Sequence, residues 1–214
     1  MTIRKLEPYG IQASRPLNLV TRQSDYELAL HFTSHDRAIP CTVIQGGIAQ
    51  SLGITGDVQR DLTSHATHLD QQMTRVDLDL LQIDYRTVAS GENSLQIVVA
   101  GTLSLQLRTP LSTFLIFSNS GYWRERDLLP RAHPNDGFVD VLEVDPNITA
   151  RQRALAWRRS KTGSHLPHPH LRVSRTTDFQ WSGRPSNMIA DGVAFNEVVW
   201  LQCTVLADAM DIYF

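Results

Sequence analysis

No apolar run in this 214-residue chain approaches the roughly 18 residues that a membrane-crossing helix needs. The first ten residues, MTIRKLEPYG, also lack the apolar core of a secretory signal, so a cytoplasmic location is the simplest expectation, with peripheral contact at a membrane left open. Cysteine is scarce. Cys41 and Cys203 sit beside β-branched or apolar residues and form no Cys-x-x-Cys pair, which reads as buried thiols, although a disulfide between them stays open. Excess positive charge is missing too: the formal net charge is -2, which excludes wholesale electrostatic capture of DNA or RNA. Gly46-Gly47 is followed by no Gly-Lys-Ser/Thr and is no phosphate loop.

What is present is an ordinary globular composition, 42% apolar and 20% charged, long enough to bury one real core. Residues 1–24 mix polar residues with Pro8, Gly10 and Pro16 and read as an N-terminal arm. Tyr26, Leu28 and Leu30 alternate with other residues and predict a first strand, Cys41 to Ile44 a second, with a turn at Ser34-His35-Asp36-Arg37 between them. Gly46-Gly47, Gly53 and Gly56 predict loops, and the polar stretch Asp57 to Gln72, with His65 and His68, reads as an exposed loop or a short helix. Arg75 to Leu80 alternates strictly, placing Val76, Leu78 and Leu80 on a core face and Asp77 and Asp79 on a solvated one. Leu95-Ile97-Val99 and Leu103-Leu105-Leu107 flank Ala100-Gly101-Thr102 as a hairpin would.

One helix is well marked. Thr149 with Gln152 forms a capping box, the helix runs to Lys161, and Gly163 closes it. Its cations, including Arg151, Arg158, Arg159 and Lys161, suit either a solvated face or anionic headgroups. His165, His168 and His170 follow in HLPHPH, a stiff connector or a weak zinc pattern. Turn signals recur at Ser182-Gly183-Arg184-Pro185 and Ile189-Ala190-Asp191-Gly192, and Val198 to Phe214 supplies the last core strands. The chain therefore reads as mainly β, a two-layer sandwich or barrel-like domain of roughly ten or eleven short strands with one or two surface helices.

The densest turn chemistry lies between Ser118 and Val144. Phe114 to Phe117 delivers the chain to Asn119-Ser120-Gly121, and Asn135-Asp136-Gly137 feeds a strand from Phe138 to Val144. Asn119 and Asp136 either cap these turns or present polar groups from a rigid sheet. The string Asn119-Ser120-Gly121-Tyr122, then Leu129-Pro130-x-Ala132-x-Pro134-x-Asp136-Gly137-x-Val139-Asp140-Val141, resembles the second, mostly β domain of the diacylglycerol kinase and sphingosine kinase family, related in fold to NAD kinases. Gly163-x-His165 and Asp191-Gly192 follow in the family's order, and the likeness is clear from about residue 95 to 214.

The resemblance implies a domain over residues 25–214 without the ATP-binding domain, since the family's Gly-Gly-Asp-Gly-Thr motif occurs nowhere. It also implies an acid after Asp-Gly where this chain has Val193; Glu197 is displaced too far to replace it. The expectation is thus a catalytically silent module that binds a lipid or small molecule, or serves assembly, with no kinase activity and no cofactor of its own. The alternative is one half of a split ATP- and magnesium-dependent lipid kinase, completed by a nucleotide-binding chain. Self-association through free sheet edges is a third expectation. By the resemblance, Asp191 is catalytic only if completed in trans. Asn119, Tyr122, Asp136 and His165 belong to the cleft, Asp136 is also the candidate for a structural magnesium, and Arg151, Arg158, Arg159 and Lys161 face phosphate or membrane.

Overall fold

A computed structural model describes residues 10–34, 38–54, 59, 72–107 and 114–214. Among these residues there are thirteen strands and three α-helices. Eleven strands join one predominantly antiparallel sheet, so the chain is mainly β, with no closed barrel among the described residues. Residues 1–9 of the expected arm, the expected turn at 35–37, and His65 and His68 lie outside the described residues. No helix among the described residues is long and apolar enough to cross a membrane.

The spine is β4 (Gln72–Thr87) paired antiparallel with β13 (Val193–Tyr213). Val76, Leu78 and Leu80 enter a first core with Leu28, Ile48 and Ile212, as the alternation predicts. Past Leu80 the strand buries its other face: Leu81, Ile83 and Tyr85 join Leu103, Phe117 and Leu201 in a second core. β13 makes the same change across a register shift between Leu206 and Met210. Where the two cores meet, Asp79 is 1% exposed, not solvated as expected. Its Oδ2 accepts from the N–H of Asp136 (2.8 Å) and of Gly137 (2.6 Å), and its Oδ1 from the N–H of Asp208 (2.8 Å) in the β13 bulge.

The first segment differs from its reading. β1 (Ile11–Ser14) pairs with β4, and β2 (Val20–Arg22) runs parallel to β3 (Cys41–Val43), which itself lies parallel to β13. Between β2 and β3, Tyr26 to Leu30 form not a strand but helix α1 (Asp25–Thr33). Ser24 Oγ accepts from the Glu27 N–H (3.3 Å), capping the helix start, and the Glu27 carboxylate accepts from the Gln23 N–H (2.8 Å) just before the cap. Leu28 then turns into the core, with Tyr26 and Leu30 outside. Gly47–Ser51, expected as loop, is the short helix α2, which buries Ile48 and Ala49.

The expected hairpin at Ala100-Gly101 is also absent. β5 (Leu95–Val99) pairs with β4, whereas β6 (Thr102–Leu107) lies between β7 (Phe114–Ser118) and β12 (Asp178–Ala190). Gly183-Arg184-Pro185 makes no reversal but a bulge inside β12, where a register shift falls between Ser182 and Ser186 and the missing Pro185 N–H does no harm. Other signals hold. β10 (Val139–Val144) follows Asp136-Gly137, and Asp191-Gly192 closes a two-residue hairpin with φ of 44° and 89°. Helix α3 (Ala150–Arg159) has both arms of its capping box and ends in a 3-10 turn, Ser160–Thr162. The remaining strands are β8 (Tyr122–Trp123), β9 (Arg126–Asp127) and β11 (Leu171–Thr176). Cys41 and Cys203 are free buried thiols, each pushed up to about 12 by burial.

Asp79→Ala would remove a buried carboxylate that accepts from three part-buried N–H groups, and the expected loss in a urea titration is about 2 kcal/mol. A loss below about 1 kcal/mol would mean that the 134–137 loop and the β13 bulge are held by something else.

Candidate functional site

β6, β7, β10 and β11 lie side by side, and alternation sorts their residues onto two faces. One face fills the second core. On the other, the register lines up three rows: Gln106, Phe114, Val144 and Leu171; then Ser104, Ile116, Leu142 and Val173; then Thr102, Ser118, Asp140 and Arg175. With rows about 6.6 Å apart, this face passes from apolar to polar along the strands.

Helix α3 roofs the apolar end and leaves a cavity of about 520 Å³. Phe114, Ile116, Leu142 and Val144 form its floor, with Ala154 and Trp157 above. Trp123 packs edge-on against Trp157 at 5.6 Å, and the Arg126 guanidinium lies 4.0 Å over the Trp157 ring while donating to its carbonyl at 2.6 Å. His165 lines the wall, 3% exposed. Burial pushes its imidazole down, keeping it neutral, so Nε2 carries the proton it donates to the Leu128 carbonyl (3.0 Å).

At the polar end two carboxylates converge. Asp191 Oδ2 accepts from the Ala100 N–H (2.7 Å), and Oδ1 from those of Gly101 (3.1 Å) and Thr102 (2.8 Å). Asp25, the first residue of α1, accepts from the N–H groups of Gly47 (2.7 Å) and Ile48 (3.2 Å) at the start of α2. Gly101 lies between them: a Cβ there would collide with Asp25 Oδ2 and stand 3.1 Å from Asp191 Oδ1, so only glycine allows this approach. At Gly47 a Cβ would likewise collide with Ser120 Oγ. Burial and the neighbouring Asp191 raise Asp25 to about 7, and burial raises Asp191 to about 6 against its three donors. The pair can hold a proton near neutral pH.

Of the residues expected from sequence, Asn119 reaches this cluster as a brace. It is fully buried, and its Nδ2 donates to the carbonyls of Asp79 and Ala100 (3.4 Å). Tyr122 contributes its carbonyl, which accepts from Thr102 Oγ1 (2.8 Å), while the next residue, Trp123, lines the cavity; β8 thus joins the two ends. Asp136 stands apart, ion-paired with Arg175 and accepting from the Phe138 N–H (3.1 Å). Arg175 Nε also lies 3.9 Å from Asp140, a buried carboxylate raised to about 6 by desolvation. His168 and His170 lie outside the cavity, and His170 faces Asp145 at 3.4 Å. Arg151, Arg158, Arg159 and Lys161 are exposed on and after α3. Sequence reasoning passed over Asp25, Asp140, Trp123 and Arg124. The signal for Asp25 was Ser24 as an N-cap, which makes Asp25 the first residue of a helix.

Among the described residues, the groups that could cradle a nucleotide triphosphate with its magnesium are already engaged. The N–H groups that open α2 are taken by Asp25, the β2–α1 junction is closed by the Ser24 cap, and Asp136 is neutralised by Arg175. Among the described residues no group of three or more His, Cys, Asp or Glu is placed to hold a metal ion.

No family model matches the chain, and no curated protein matches it in sequence. Solved structures do. Three from Bacillus anthracis str. Sterne, described as diacylglycerol kinases, superpose over 91% of this chain. One has a TM-score of 0.61 at 10% identity with 77% of its own length covered. The others have TM-scores of 0.50 and 0.52, both at 8% identity, with 75% and 77% covered. The fold is that of the diacylglycerol kinases.

The acid pair sets a pH signature. A carboxyl raised in the folded state contributes stability below its unfolded value, near 3.8, that is lost as pH rises through about 7. Relative to Asp25→Asn, the wild-type chain should lose on the order of 4 kcal/mol between pH 4 and 8. Parallel urea titrations of the two proteins measure the difference, and a difference that stays constant with pH would show that Asp25 is not protonated in the folded chain.

Proposed function

We propose that the chain is a lipid-binding module of diacylglycerol-kinase-like fold that transfers no phosphate itself. The observation carrying this reading is the apolar cavity of about 520 Å³ beneath α3, of a size and lining suited to an acyl chain. Phosphoryl transfer requires a cradle for the triphosphate, and the internal capture of the α2 N–H groups by Asp25 argues against one.

Exposed Leu155 (38%) and Trp157 (39%) stand among Arg151, Arg158, Arg159 and Lys161, an arrangement suited to meeting an anionic leaflet from which the ligand is drawn. The double change Arg158→Glu and Arg159→Glu should lower binding to phosphatidylserine vesicles by about tenfold or more. Undiminished co-sedimentation would remove the membrane from the proposal.

A second reading, a trans-acting half of a split lipid kinase, is favoured by one feature, the Asp25–Asp191 pair with its capacity for a proton near neutrality. One assay addresses both. The chain, incubated with ATP, magnesium and diacylglycerol, should yield no phosphorylated lipid, while organic extraction of the purified protein releases a bound lipid. Ala154→Trp, which fills the cavity from the helix side, should weaken lipid binding by about tenfold or more. Product from the chain alone overturns catalytic silence. Product appearing only with a nucleotide-binding partner, and lost in Asp191→Asn, selects the second reading.

A further inference from the structure

We infer that the cavity beneath α3 takes one acyl chain with an anionic head, held head-outward between Arg124 and Arg153, an inference that rests on the lipid-binding reading above. Volume sets the number of chains. A dry cavity of about 150 Å³ holds one benzene, or roughly 25 Å³ per carbon. At that packing a space of about 520 Å³ accommodates on the order of 20 carbons, enough for one long chain and too little for two.

Charge sets the head. Of the sixteen described residues that line the cavity, two are arginines and none is acidic. Arg124 is exposed in the turn between β8 and β9 while also lining the cavity, which places it at the rim, and it stacks 4.9 Å over the Trp123 ring. Arg153, half-buried, lines the cavity from α3. Two guanidiniums in the lining of an apolar cavity match a carboxylate or phosphate. The reverse orientation would carry the head along the sheet face toward Asp140 and the Asp25–Asp191 pair, where like charges repel it and Arg175 is already paired with Asp136. A ligand seated this way presents its acid to the arginines and nothing reactive to the carboxylates.

The test titrates the full chain with palmitate, 16:0 lysophosphatidate, hexadecanol and dipalmitoylglycerol in one detergent background, read by calorimetry and by the fluorescence of Trp123 and Trp157. Either anionic single-chain probe should bind at least about tenfold tighter than hexadecanol, and the tighter of the two identifies carboxylate or phosphate as the head. Arg124→Gln with Arg153→Gln should erase that preference, with circular dichroism certifying the fold of the variant. Equal binding of palmitate, lysophosphatidate and hexadecanol, or dipalmitoylglycerol binding as tightly as the single chains, overturns the inference while the lipid-binding reading stands. No binding of any probe overturns both.

Discussion

Asp191 holds three successive backbone N–H groups, from Ala100 to Thr102, and the layout of the sheet depends on that clasp. Without it, two alternating apolar segments around a glycine would pair with each other, as their pattern suggests. With it, the turn is fixed to the tip of the β12–β13 hairpin, and the chain on either side goes to different partners, β4 for β5 and β7 with β12 for β6. Asn119 braces the same turn from the other side through the Ala100 carbonyl and passes the connection on to Asp79. A continuous set of hydrogen bonds therefore runs from Asp136 through Asp79, Asn119 and Ala100 to Asp191. Buried carboxylates that accept backbone N–H groups act here as long-range rivets, replacing ladder bonds where the sheet changes its buried face.

Local patterns were legible where local physics decides. The Thr149 capping box, the Asp191-Gly192 turn and the β10 strand after Asp136-Gly137 all formed as written in the sequence. The misreadings share a cause: each pattern satisfied two templates, and a distant residue chose between them. Tyr26, Leu28 and Leu30 alternate as a strand would, yet the spacing of Ser24 and Glu27 satisfies a helix start. Asp79 was placed on a wet face because strict alternation assumes that a strand buries the same face throughout, and β4 does not. Of the site, Asp191 and His165 were found through their motifs. Asp25 and Arg124 were not, because their roles arise from contacts with α2 and from a cavity shared with α3 that no single-segment pattern encodes.

Fold likeness at about one identical residue in ten establishes architecture and leaves activity to the site. The site has a graded surface, apolar under α3 and polar toward Asp140 and the acid pair, built from the two-residue period of four neighbouring strands. Such a gradient confines an apolar ligand to the α3 end of the strands. The helix that roofs it adds the aromatic and cationic groups suited to a membrane surface, so one element serves both the cavity and its approach.

Two carboxylates in a cleft with raised pKa values would ordinarily be read as acid–base machinery. Here each has a structural reason to exist. Asp25 supplies the acceptor for the two N–H groups that open α2, and Asp191 supplies the acceptor for three in the 100–102 turn. Five donors would otherwise be unsatisfied at a junction where α1, α2 and the sheet meet around Gly101, and leaving them so would cost more than the repulsion of two partly protonated acids. Protonation of one member relieves that repulsion without surrendering any of the five bonds, because each N–H needs only an oxygen lone pair. The same saturation limits chemistry: an oxygen already committed to the backbone is poorly free to take a proton from a substrate hydroxyl. Perturbed acidity at this junction is therefore the consequence of docking the short α/β segment onto the sheet, and it needs no catalytic role to explain it.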